Sequence, residues 1–166
     1  MNYRFLASSL IILATALCGQ TRPGEIDGKK NPELITDFDA YRGFFMSYSD
    51  MTNGMSRAAR ENELTTSGFS RDQVNLILVA ANEFRVALEQ GNRKMQKIKD
   101  SYPKGSTVPE NILLQYDQVW DSVAAKQTEI QKTLEANLGA DGTKRFHDFL
   151  RAKVIPYMTV FRGGRR

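Results

Sequence analysis

The sequence predicts an all-α protein: four helices in an antiparallel arrangement, with a long central helical hairpin. Three observations predict it. Apolar residues recur at alternating spacings of three and four, the period of one helix face. Ser70/Gln73 and Thr107/Glu110 stand ahead of two such runs as helix-start signatures. Pro103 and Gly139 stand where those runs stop, as helix terminators do. The chain has 166 residues, 41% hydrophobic and 25% charged, an ordinary composition for one domain with a modest core. One Cys excludes an intrachain disulfide, and one His excludes a multi-His metal site within the chain.

Residues 1–20 read as a secretory signal peptide. Arg4 precedes Phe5 to Leu17, a run without charges that is too short to span a bilayer. Ala14-Thr15-Ala16 places a cleavage before Leu17, and Ala16-Leu17-Cys18 offers a second position. Lipoprotein processing at Cys18 is disfavoured, because Leu17 is a poor substitute for the small residue it needs. The expected location is therefore the periplasm or the outside of the cell.

Residues 21–31 contain Pro23, Gly24 and Gly28 among charges and read as a flexible tether. A helical domain over 32–161 follows. Leu34, Phe38, Tyr41, Phe45 and Tyr48 form one face of a first helix starting near Pro32. It ends at Asn53-Gly54, or continues through Met55, Ala58 and Ala59 to about Glu63. Glu63–Gly68 is expected as a polar connection. The second helix starts at the Ser70/Gln73 capping box and carries Val74, Ile77, Ala81, Phe84, Leu88, Gly91, Met95, Ile98 and Tyr102. Gly91 interrupts that seam, which a close helix crossing would explain.

After a short loop, Thr107 and Glu110 cap a third helix with Leu113, Tyr116, Trp120, Val123, Gln127, Ile130 and Leu134. Similar lengths and a short loop make helices two and three an antiparallel hairpin. Gly139 is the expected C′ residue and Asp141 the cap of a fourth helix carrying Phe146, Phe149, Leu150, Val154 and Tyr157. Pro156 should kink or end it. Residues 162–166 are a basic tail. Residues 144–166 hold 7 basic and 1 acidic side chains, against 15 and 18 in residues 21–143.

No Gly-rich phosphate loop, Cys-x-x-Cys, His-Glu-x-x-His or Gly-x-Ser-x-Gly is present, so no catalytic, cofactor or metal residues are assigned. His147 has no partner legible from spacing, and Asp117 and Asp121 read as a solvated acidic face. Tyr41, Phe44, Phe45 and Tyr48, with Met51, make the first helix unusually aromatic and Met-rich. One reading is a broad core face. The other is an adaptable apolar surface for protein partners, with Phe44 and Met51 at its edge and Arg162, Arg165 and Arg166 steering acidic partners. The basic end also suits peripheral contact with an anionic membrane, whereas export argues against nucleic acid.

Phe69-Ser70-Arg71-Asp72-Gln73 resembles the Leu-Thr-x-x-Gln motif that names a family of small periplasmic helical proteins, the Spy/CpxP-like family. Leu138-Gly139-Ala140-Asp141-Gly142, followed by Phe146, resembles a degenerate second copy. The resemblance implies a signal peptide, four helices with a long hairpin, and a homodimeric cradle holding unfolded clients on apolar and basic patches. It implies a stress chaperone or envelope-stress protein rather than an enzyme. Metal binding does not carry over, for want of the His and Cys that support it. The competing expectation is a structural envelope or secretion-associated subunit binding one defined protein partner.

Overall fold

The computed structural model describes residues 24–50, 55–102 and 108–162. It is all-α apart from a small ribbon. In chain order it has strand β1 (Glu25–Asp27), a 3-10 turn (Pro32–Leu34), α1 (Asp37–Tyr48), α2 (Arg57–Thr66), α3 (Arg71–Asp100), α4 (Glu110–Lys153), a second 3-10 turn (Ile155–Tyr157) and strand β2 (Thr159–Phe161). The expected signal segment lies outside the described residues.

The helix starts follow local chemistry. Ser70 Oγ accepts the Gln73 N–H at 3.2 Å, and Gln73 Oε1 accepts the Ser70 N–H at 3.1 Å. This is the capping box expected from the sequence, with both backbone donors satisfied reciprocally. Thr36 and Asp39 form a second box at the head of α1. The expected Thr107/Glu110 box falls at the edge of the described residues. Thr107 lies outside the described residues, Pro109 takes the N-cap position, and Glu110 is already the first helical residue.

The first helix, expected to stop at Asn53-Gly54 or to continue to about Glu63, does neither: it stops earlier and a separate helix follows. α1 stops at Tyr48, where Ser49 turns extended, and α2 restarts behind Ser56, whose hydroxyl accepts the Ala59 N–H at 3.2 Å. The fully buried Arg60 braces the junction by donating Nη1 to the Ser49 and Met55 carbonyls at 3.0 and 2.9 Å. α2 also absorbs Glu63 to Thr66 of the expected polar connection, leaving Gly68, at φ 90°, to make the turn into α3.

α3 and α4 are antiparallel. Gln73 lies against Gly142, Gly91 against Val123, and the Tyr102 and Tyr116 hydroxyls are 3.3 Å apart, so partner numbers fall as residue numbers rise. At the expected close crossing, a Cβ on Gly91 would sit 2.6 Å from Val123 Cγ2, so a side chain is excluded there. The expected third and fourth helices run together as α4, bent where Gly139 takes φ 70° and ψ 178°. The bend is sharp. Glu135 and His147, twelve positions apart and thus about 18 Å along a straight helix, bring their side chains to 3.6 Å.

Seam positions Val74, Ile77, Phe84, Leu88, Val123, Ile130 and Leu134 are buried. Leu113 and Trp120, expected with them, are 45% and 37% exposed. Residues three apart fall about 60° from one another round a helix, so Trp120 sits at the edge of the seam that Val123 occupies, and Ile112 is buried where Leu113 was expected. Trp120 instead lies under the Arg42 guanidinium, 5.7 Å from its ring centroid.

The expected tether at 21–31 is partly structured. β1 pairs antiparallel with β2 through Glu25↔Phe161, Ile26↔Val160 and Asp27↔Thr159, with Ile26 and Val160 against the core. Pro156 lies in the 3-10 turn after α4 ends, which leaves Tyr157 85% exposed rather than on a helical apolar face.

Candidate protein-binding surface

The aromatic stripe of α1 is core, which corrects its reading as a surface for partners. Tyr41, Phe44 and Phe45 are fully buried and Tyr48 nearly so. α1 has neighbours on more than one side. Phe45 packs on Phe84 of α3 at 5.6 Å, while Phe44 meets Phe146 edge-on at 4.9 Å and Phe149 at 6.0 Å on the second arm of α4. Rings pointing several ways round α1 are thus all covered. Met51, Arg165 and Arg166 lie outside the described residues.

Arg162 is a strut rather than the start of a loose tail. Its Nη2 donates to Asp39 Oδ2 at 2.7 Å and to the Leu34 carbonyl at 3.1 Å, and its backbone N–H donates to the Gly24 carbonyl at 2.7 Å. Phe69 and Leu138 are buried beside the two helix starts picked from the sequence. The Arg145 guanidinium stacks 5.8 Å from the Phe69 ring and donates to the Gly68 carbonyl. Asp141, expected as a cap, is exposed, and its side chain makes no hydrogen bond to a described residue.

The bend in α4 gives His147 partners that spacing did not reveal. His147 Nε2 is 3.2 Å from the Tyr41 hydroxyl and 3.6 Å from Glu135 Oε1, and Gln131 Nε2 donates to the same carboxylate oxygen at 3.0 Å. Burial alone would raise the Glu135 pKa. Hydrogen bonds from Gln131, Tyr41 and His147, with the His147 charge, outweigh it and hold the carboxyl below its ordinary range. Burial first, then Glu135, pushes the Tyr41 phenol far above its usual pKa, so it stays a neutral donor. The cluster therefore ties both arms of α4 to α1.

A group depressed in the fold stabilises above its unfolded pKa, and that contribution fades as pH falls through the folded value. Glu135→Gln is therefore expected to lower the urea midpoint at pH 7. The gap from wild type should close as the pH falls below the ordinary carboxylate range and through the lowered folded value, below which both forms carry a neutral side chain. A gap that stays constant over that range would show that the charge of Glu135 contributes nothing.

The exposed apolar surface is elsewhere, along the hairpin. A groove of about 680 Å³ runs between α3 and α4, with Val79, Val86 and Ala87 on one side and Val119 and Val123 on the other. Val79 and Val86 are 46% and 50% exposed. A second groove of about 460 Å³ shares Lys94, Val119 and Ser122 with the first and extends it past Lys97 and Ile98. Lys126 at the rim is paired with Glu129 at 2.7 Å and is further favoured as a cation by Glu83. Lys94 and Lys97 make no ion pair with a described residue.

Sequence reasoning missed this groove because it followed only the inward face of each helix. The available signal was Val79 and Val86, seven positions apart and off the Val74/Ile77/Phe84 line. Among the described residues, no helix is long and apolar enough to cross a membrane, and no group of three or more His, Cys, Asp or Glu converges for a metal. The chain matches no family model, no curated protein and no solved structure.

Proposed function

We propose that this protein is a non-enzymatic, exported helical binding protein, a Spy/CpxP-like periplasmic chaperone or envelope-stress protein. It holds apolar segments of other proteins in the groove between α3 and α4. The observation that carries this reading is the groove itself, an apolar floor with half-exposed valines and a lysine-bearing rim. Scattered exposed apolar residues are ordinary, whereas an apolar concavity of this volume with polar side chains at its rim has the form of a binding site. The charge, apolar run and small residues of 1–20 support export. Ser70 and Gln73, at the head of the helix that forms one groove wall, support the family resemblance.

The alternative, a subunit for one defined envelope partner, draws support from Trp120 under Arg42 with Leu113 exposed nearby in sequence, since Trp and Arg dominate specific interfaces. The two readings separate in an aggregation assay. A chaperone suppresses aggregation of several unrelated unfolded proteins, and Val86→Asp abolishes that activity while far-UV circular dichroism stays unchanged. No suppression of any client, with one species co-purifying, would replace the chaperone reading with the single-partner one.

A further inference from the structure

We infer that the α3–α4 groove takes an amphipathic helix with acidic side chains at one end. This rests on the binding reading above and adds the form and charge of the occupant.

The form follows from the groove walls. Both are helices whose backbone groups are already bonded internally, so the groove offers no strand edge to an extended segment. An extended chain laid on Val119 and Val123 would leave its own N–H and C=O groups unpaired against apolar side chains. A helix satisfies its backbone itself and needs only an apolar stripe. Val79 and Val86, seven positions apart on one wall, match a stripe repeating every two turns. From Val79 to Ile98 the groove runs about 28 Å, the length of a helix of about five turns.

The polarity follows from the rim. Toward Val79 the cation Lys126 is already compensated by Glu129 and Glu83. Toward Ile98 stand Lys94 and Lys97, opposite neutral Gln115 and Gln118, and neither lysine has an ionic partner among the described residues. An occupant with carboxylates at that end complements them; one with cations is repelled.

The test uses the full chain and three synthetic peptides of about five helical turns, read by fluorescence anisotropy. One carries a leucine stripe and glutamates at one end, the second has lysines for the glutamates, and the third is the first interrupted by proline. The acidic peptide is expected to bind at least about tenfold tighter than either other. Lys94→Glu with Lys97→Glu, both at exposed positions that leave the fold intact, should invert the preference between acidic and basic peptides. Equal binding of all three, or no inversion in the double variant, overturns the inference. If no peptide binds but Val86-dependent suppression of aggregation persists, the helical occupant falls and the binding reading stands. If both vanish, both fall. A dimer in sedimentation equilibrium that Val86→Asp converts to monomer would make the occupant a second copy and overturn the proposal too.

Discussion

Phe44→Ala is expected to lower the unfolding free energy by about 3–5 kcal/mol, the range for emptying a buried aromatic site. Phe44 is fully buried, stacks on Tyr48 at 4.2 Å, and meets Phe45, Phe146 and Phe149 edge-on. Those neighbours come from α1 and from the second arm of α4, so the site cannot collapse by moving one element. The urea midpoint should fall with the slope unchanged. Trp120→Ala is the matched control, a larger truncation at a part-exposed position whose stacking with Arg42 contributes only about 1 kcal/mol. If the two variants unfold at the same midpoint, the stripe of α1 is not the centre of the core.

Arg60→Ala should lose about 3 kcal/mol, by removing the donor to the Ser49 and Met55 carbonyls and emptying the space of a fully buried side chain. Arg60 is only 2% exposed, and its Nη2 meets Asp50 Oδ1 at 2.6 Å. Asp50 is more than a third exposed, so the ion pair itself is screened and contributes little of that loss. Most of it comes from the Ser49 and Met55 carbonyls that Nη1 caps. Arg60→Met keeps the stem packed and buries no unmatched charge, and it should recover roughly half of the loss. Chemical denaturation of both variants checks this, and equal loss in the two would assign the effect wholly to the polar contacts.

The all-α fold and the α3–α4 hairpin were legible in the sequence because long amphipathic stretches carry their own period, whereas the short α2 was not. The Ser70/Gln73 start, the close approach at Gly91 and the break at Gly139 were also legible, each resting on one residue type in one local geometry. Which side of a helix meets which neighbour was not. Phe44 lies off the main stripe of its helix and Trp120 on the stripe of its own, yet Phe44 is fully buried and Trp120 stands at the surface. Only the docking of α1 against two elements separates them. Three-residue strands carry no usable period, so the pairing of Ile26 with Val160 was invisible. The contact of His147 with Glu135 needed the bend angle of α4, which a lone glycine signals without specifying.

The ribbon of β1 and β2 bears on the order of folding. Its pairing joins Asp27 to Thr159, closing a loop of about 130 residues, for which the chain-length part of the closure entropy is about 4 kcal/mol. Three cross-strand pairs cannot repay that from an open chain. Once α1, α3 and α4 have packed, only the short segments before Asp37 and after Lys153 remain to be brought together, and the remaining span is short. The ribbon is therefore a late event that records completion of the helical body, and thermal fluctuation should open it first.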